Sequence, residues 1–242
     1  MQLNDVQITA INAGGLSGVY LEGYSRVRVR FTAANCTLEE GETLAGGYIT
    51  FKGMKTVANS ALMAVSSPLE AGENVIVCTA ISSTGEESSI EKTVTAYEYY
   101  PPTAEVNAVR SKSSGAASET GAYIKVTATP SFASCGGSNA VTKEVRWKLR
   151  SASGYSSPVT MNGNSAVIGG SLTQNDTVDI LVTVTDTVGN DADYGLQILS
   201  NFWPLRFTAD GTGIALLGAT PANGELVLPA GTRIRIGNTY IN

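Results

Sequence analysis

The residues best suited to hold a metal ion lie in one short acidic segment, TVTDTVGNDAD, which runs from Thr183 to Asp193. Carboxylate and amide oxygens are the ligands that calcium prefers. The candidate ligands are Asp186, Asn190, Asp191 and Asp193. Their spacing departs from the regular calcium-loop pattern, and a hydrophilic turn centred on Gly189 accounts for the same residue types. We therefore favour a turn over a metal site.

Two groups of surface residues could bind a ligand outside the cell. Two alternating rows of cations could bind an anionic polymer such as teichoic acid. Ordinary solvated strand faces carry such rows as well, because exposed cations discourage edge-to-edge pairing of strands. The candidate cations are Arg26, Arg28, Arg30, Arg146, Lys148 and Arg150. A set of tyrosines could stack on sugars or could cement a contact between domains. These tyrosines are Tyr97, Tyr99, Tyr100 and Tyr123.

The composition argues against the common catalytic sites. The chain has no histidine, which removes histidine-based nucleophilic catalysis, histidine-ligated zinc and the usual proton shuttle at neutral pH. Its 21 acidic residues are scattered through turns, and nothing pairs two of them across one cleft, as glycoside hydrolysis requires. We expect a non-enzymatic protein that needs no cofactor.

Charge, hydropathy and cysteine usage narrow the class of partners. The formal net charge of -5 gives no bulk attraction to nucleic acid. No apolar run approaches the length of a membrane span, and the first ten residues lack the pattern of a secretory signal. The three cysteines, Cys36, Cys78 and Cys135, cannot all pair. A Cys36–Cys78 disulfide is one alternative, but free thiols and cytoplasmic synthesis are favoured.

Short segments of alternating polar and apolar residues, separated by turn residues, predict an all-β fold. Two segments, SRVRVRF (25–31) and EVRWKLR (144–150), alternate cleanly, so their cations should point outward. The residues expected to point inward are Val27, Val29 and Phe31 in the first segment and Val145, Trp147 and Leu149 in the second.

Three segments of the first half recur in the same order in the second half. SRVRVRFTAANC (from Ser25) matches AYIKVTATPSFASC (from Ala122), and GGYITFKG (from Gly46) matches KEVRWKLRS (from Lys143). The third pair is ENVIVCTAISSTGEESS, at residues 73–89, and DTVDILVTVTDTVGNDAD, at residues 176–193. We predict two tandem immunoglobulin-like β-sandwiches, because about seven short strands fit each copy.

The predicted domain boundaries follow from this repeat. The first sandwich covers residues 1–100 and the second covers residues 101–200, with the stiff proline segment YYPP at the junction. Residues 201–242 carry hairpin signals at ADG, ANG and IGN and are too few for a core of their own. We expect this segment to cap the second sandwich or to mediate oligomerisation.

Several motifs resemble tail-fibre proteins from siphophages and prophages of Gram-positive bacteria. In chain order they are VYLEGYSRVRVRFTA, the YYPP junction, GAYIKV (121–126), VTDTVG (184–189) and FTADGTGIA (207–215). The resemblance covers residues 17–218, and the sequence after FTADGTGIA departs from the short tail of that family.

The resemblance implies a structural protein of the phage tail, in the fibre or the baseplate, that takes part in host-cell attachment. It implies synthesis in the cytoplasm of the bacterial host and assembly into the virion as a homo-oligomer, with a trimer favoured. Other tail proteins and cell-wall polysaccharide would be its partners. Neither binding to nucleic acid nor insertion into a membrane is expected. The first alternative is a bacterial surface adhesin or carbohydrate-binding module. An accessory domain of a polysaccharide-degrading enzyme, or an enzyme that uses carboxylates, is the second.

Overall fold

The computed structural model describes residues 1–11, 16 and 18–200, and it describes the backbone of five short strands beyond residue 204. The chain is all-β, as the alternating sequence pattern predicts, and two 3-10 turns interrupt it at Ala33–Asn35 and Cys135–Gly137. No helix in this part of the chain has the length and apolar character needed to cross a membrane. The strands of the first half are β1 (Gln2–Leu3), β2 (Gln7–Ile11), β3 (Tyr20–Leu21), β4 (Arg26–Arg30), β5 (Cys36–Thr37), β6 (Leu44–Phe51), β7 (Met54–Val57), β8 (Met63–Val65), β9 (Gly72–Ser82) and β10 (Glu87–Tyr97).

The first ten strands form a β-sandwich. One sheet has the strand order β2-β4-β8, the other has the order β3-β10-β9-β6-β7, and β1 pairs with β5. Both sheets contribute to one core because alternate residues of each strand point inward. Val27 and Val29 are fully buried and Phe31 is 1% exposed, which confirms the inward row predicted for this segment. Ile49 and Ile76 meet them from the second sheet.

The strands of the second half repeat this topology. They are β11 (Thr103–Ser111), β12 (Tyr123–Ser131), β13 (Val141–Leu149), β14 (Val159–Thr160), β15 (Ser165–Gly169), β16 (Val178–Asp186) and β17 (Asp191–Ile198). Their sheets have the orders β11-β12-β15 and β14-β13-β16-β17, which correspond strand for strand to β2-β4-β8 and β7-β6-β9-β10. Two immunoglobulin-like sandwiches in tandem are therefore present, and both arise from one repeated unit.

The packing of Cα atoms divides the chain into two compact units. These units are residues 1–105, 129–143 and 183–193 for the first, and residues 106–128, 144–182 and 194–242 for the second. One compact unit thus contains residues from both halves of the sequence. The predicted domain boundaries after residues 100 and 200 stay a prediction.

One predicted inward row is only partly correct. Val145 on β13 is fully buried, but Trp147 and Leu149 are half-buried, and so is Lys148, which was expected to point outward. The neighbouring strand β14 pairs only with Glu144 and Val145. Beyond them, β13 is flanked by an irregular segment whose Ser156 exchanges hydrogen bonds with the backbone of Trp147. The end of β13 therefore lacks the cover that a paired strand gives to a core position.

The duplicated hairpin turns have the same backbone geometry. Gly85 (φ +86°) and Gly189 (φ +99°) both adopt the left-handed conformation that glycine tolerates best. The N–H of Ser82 donates to the carbonyl of Glu86 in one turn, and the N–H of Asp186 donates to the carbonyl of Asn190 in the other, each at 2.9 Å. The sequence prediction that the shared element is a glycine-centred turn is confirmed.

Five short strands of the C-terminal segment are described, but the glycine of each predicted turn signal, ADG, ANG and IGN, lies outside the described residues. These strands are β18 (Leu205–Phe207), β19 (Ile214–Leu216), β20 (Leu226–Val227), β21 (Ile234–Ile236) and β22 (Thr239–Ile241). The pairs β18–β19, around ADG, and β21–β22, around IGN, are antiparallel. The pair β19–β20 is parallel.

Candidate functional site

The carboxylate of Asp186 is fully engaged by hydrogen-bond donors of the protein. The backbone N–H groups of Gly189 and Asn190 donate to Oδ1, each at 2.9 Å. The hydroxyl of Tyr99 donates to Oδ2 at 2.6 Å, and Nδ2 of Asn139 donates to the same oxygen at 3.3 Å. The side chain is only 5% exposed. Four donors satisfy this buried carboxylate without a cation.

Tyr99 lies at the centre of the same cluster, within the first compact unit. Its hydroxyl also accepts a hydrogen bond from Nδ2 of Asn190 at 2.7 Å, and its ring contacts that of Tyr24 edge to face at a centroid distance of 4.7 Å. Burial, and then the bond to Asp186, raises the pKa of the Tyr99 hydroxyl. With 8% of its surface exposed, Tyr99 is not available to stack on a sugar.

The other predicted calcium ligands do not converge on a common point. Oδ1 of Asp193 accepts the hydroxyl of Thr183 at 2.6 Å, and Asp191 is exposed at the start of β17. In residues 1–200, apart from those the structure leaves out, no group of three or more histidine, cysteine or acidic side chains could hold a metal ion. The bonds from the N–H groups of Gly189 and Asn190 to Asp186 belong to the glycine-centred turn between β16 and β17.

The remaining tyrosines differ in their exposure. Tyr97 and Tyr100 are 45% and 44% exposed and belong, with Tyr99, to the first compact unit. Tyr123 is half-buried on β12 and belongs to the second unit. Only Tyr97 and Tyr100 keep the exposure that stacking on a sugar requires.

The arginine row, which we define as Arg26, Arg28 and Arg30, occupies the outer face of the central strand β4. All three residues are exposed, and about 6.6 Å separates neighbours in the row, because a strand rises about 3.3 Å per residue. Val65 of β8 pairs with Arg28. Among the described residues, none of the three arginines forms an ion pair. The row presents three uncompensated cations on one rigid face.

The second row of cations, Arg146, Lys148 and Arg150, contacts neighbouring side chains at two of its three positions. Nη2 of Arg146 lies 3.9 Å from a carboxylate oxygen of Glu144. Nζ of Lys148 lies 5.2 Å from the ring centroid of Tyr155, within the range of a cation–π contact. Arg150 is exposed beyond the end of β13. Two of these three charges therefore have a local partner.

The two rows are not copies of each other. The first lies on β4, whereas the second lies on β13, which corresponds to β6 in the repeat. The strand that corresponds to β4 is β12, and its only cation is Lys125. The arginine row therefore belongs to the first sandwich and has no counterpart on the equivalent strand of the second.

The most strongly perturbed described carboxylate belongs to a turn and not to a cleft. Glu42 accepts hydrogen bonds from the hydroxyl of Thr84 at 2.7 Å and from the backbone N–H of Glu39 at 3.1 Å. These bonds, the bond to Thr84 first, lower the pKa of Glu42 to about 2. A carboxylate held ionised in this way stabilises its loop and is a poor general acid.

The sequence analysis missed Arg110, a buried cation at the end of β11. The half-buried residues of β11 are Ala104, Val106 and Ala108, and Arg110 is the next residue in that alternating series. The alternation of inward and outward residues along β11 therefore predicts that Arg110 points inward, although it is charged. Arg110 is 8% exposed.

No family model matches the chain, and no curated protein matches it. Among solved structures, the chain is similar to the FN1–FN3 domains of chicken CNTN1, with 12% identity, 83% of this chain and 67% of that chain covered, and a TM-score of 0.34. It is also similar to the fibronectin(III)-like modules of Clostridium thermocellum CbhA, with 14% identity, 81% and 93% covered, and a TM-score of 0.36.

Proposed function

We propose that the chain is a non-enzymatic attachment protein of a phage or prophage tail, located in the fibre or the baseplate. Its first sandwich binds an anionic polymer of the bacterial cell surface through the arginine row. The observation that carries this proposal is the set of three exposed, unpaired arginines on one strand face. The tail-protein motifs between residues 17 and 218 support the location in a virion.

The chemistry of arginine suits a phosphate-bearing polymer. The planar guanidinium presents N–H donors in a fork that matches phosphate and carboxylate oxygens. Each exposed charge pair contributes only about 0–1 kcal/mol, so one copy of the row binds weakly. Repetition of the row in a homotrimer, and of the trimer in a tail, raises the overall affinity without any new contact.

The test compares two variants that change net charge equally. Arg26→Gln/Arg28→Gln/Arg30→Gln removes the arginine row, and Arg146→Gln/Lys148→Gln/Arg150→Gln removes the cations on and beyond β13. Binding is measured by co-sedimentation with Gram-positive cell walls, before and after chemical removal of their phosphate polymers. We expect the row variant to lose roughly tenfold in binding and the matched control to lose less than about twofold.

Two results would contradict the proposal. Equal losses in both variants would show that only net charge matters, and unchanged binding of the row variant would exclude the row altogether. Circular dichroism of both variants checks that the substitutions leave the protein folded, which matters most for the half-buried Lys148. Binding of the unchanged protein should also fall with rising salt, because the contact is electrostatic and exposed.

A further inference from the structure

Arg110 is a buried cation without a counter-ion in the described part of the chain. Its Nη1 donates to the carbonyl of Gly121 at 3.4 Å, and its Nη2 donates to the carbonyl of Asp176. A guanidinium has five N–H donors, and bonds to the described residues use two of them; the buried Nε is one of the other three. No described carboxylate forms an ion pair with it.

An uncompensated buried charge is costly, and a ligand can supply the missing charge. Moving an ion out of water costs several kcal/mol even after the protein relaxes, unless an opposite charge or a full set of hydrogen bonds replaces the water. The two backbone carbonyls provide only part of that set. The environment of Arg110 is therefore better suited to a bound anion than to an empty site.

A cavity lies next to this guanidinium, within the second compact unit. Its volume is about 300 Å³, and its described lining residues are Arg110, Glu119, Leu199 and Ser200. This volume is at the lower end of the range for small-molecule pockets. Leu199 is 67% exposed, so the cavity is open to solvent on that side.

We propose that this cavity is an oxyanion-binding subsite, in which the unused Nη–H donors of Arg110 bind a carboxylate or phosphate group. Both groups present negatively charged oxygens that accept hydrogen bonds from a guanidinium. Glu119 lines the same cavity and repels the anion, so it limits the affinity and favours ligands of low charge. The subsite lies in the second sandwich and does not depend on the arginine row.

The test follows the side-chain Nε–H resonance of Arg110 by ¹H–¹⁵N NMR in the full chain. Sodium phosphate and sodium acetate are titrated separately, with sodium chloride at matched ionic strength as the control. We expect a saturable shift with a midpoint in the millimolar range for at least one oxyanion, and no saturable shift for chloride. Comparison of the two arms shows whether the subsite prefers phosphate or carboxylate. The Arg110→Lys variant identifies the resonance.

A second variant keeps the proposal falsifiable if Arg110→Lys fails to fold. Glu119→Gln removes an exposed negative charge from the cavity and should tighten oxyanion binding by roughly three- to tenfold, with an unchanged melting temperature. The proposal is wrong if phosphate and acetate both fail to give a saturable shift, in the unchanged protein as well as in Glu119→Gln. It is also wrong if Glu119→Gln lowers the melting temperature without any anion binding, because Glu119 would then be the internal counter-ion. The variant without the arginine row should retain the shift, which separates the two proposals.

Discussion

Asp186 illustrates how one carboxylate performs two structural tasks. Its Oδ1 caps the hairpin turn between β16 and β17, and its Oδ2 binds the hydroxyl of Tyr99. Ser82 occupies the corresponding position in the first copy, where its Oγ accepts the backbone N–H of Glu86 at 3.2 Å. The single side-chain oxygen of Ser82 caps the turn, bonds to the hydroxyl of Thr84 at 2.7 Å and helps to lower the pKa of the Glu42 carboxyl. The second oxygen of the aspartate adds a link to a segment 87 residues earlier in the chain.

Removal of the Tyr99 hydroxyl should destabilise the protein measurably. Tyr99→Phe keeps the ring contact with Tyr24 but deprives Asp186 and Asn190 of a hydrogen-bond partner in a buried site. We expect the free energy of unfolding to fall by about 1–3 kcal/mol in urea denaturation at pH 7. Tyr97→Phe, at an exposed position, is the control and should change it by less than about 0.5 kcal/mol. Equal effects of both substitutions would contradict this role.

The same hydroxyl makes stability depend on alkaline pH. Because the pKa of Tyr99 is raised in the folded state, the folded protein keeps this proton at pH values where the unfolded chain has lost it. The contribution to stability is fully present below pH of about 10 and is lost as pH rises towards the folded-state pKa. The stability difference between the unchanged protein and Tyr99→Phe should therefore shrink above pH of about 10. A constant difference up to pH of about 11 would count against the raised pKa.

At the scale of elements, the two hairpins allow a clean test of backbone strain. A Cβ atom added to Gly85 or Gly189 would meet nothing within 4 Å, so only the positive φ opposes a larger residue. We expect Gly85→Ala and Gly189→Ala each to lower the free energy of unfolding by about 1–2 kcal/mol. Gly195→Ala on β17 is the matched control, because its site is equally open and its φ is ordinary, and it should cause no loss. A similar loss in all three variants would contradict this explanation.

How much the sequence revealed depends on how local each feature is. The faces of β4 were predictable, because alternation within one strand determines them. The burial of Trp147 was not, because it depends on where a different strand, β14, stops pairing. The Tyr99 cluster was not predictable either, because Asp186 bonds there to Asn139, 47 positions earlier, and to Tyr99, 87 positions earlier. The burial of Arg110 was predictable, because the alternation of β11 places it in the same inward row as Val106 and Ala108.

At the scale of the whole molecule, repetition connects the structure with the proposed function. The sequence predicts that residues 201–242 are too few for a core of their own, and in the proposed function the arginine row needs several copies to bind strongly. We expect the full chain to elute as a homotrimer of about 75 kDa, three times the 25.1 kDa of one chain, in size exclusion with light scattering. A monomer at every concentration tested would exclude this assembly and weaken the multivalent mechanism.

The cysteines give the molecule natural reporters of local opening. All three described thiols are free; Cys78 is buried in the first core and Cys135 is buried beside the Tyr99 cluster. Burial raises the pKa of Cys78 to about 11, and burial and the nearby Asp186 raise the pKa of Cys135. Only the thiolate reacts readily with an alkylating reagent, so each site is labelled when its surroundings open. The labelling rates of the two thiols therefore measure how often each region opens in the unaltered protein.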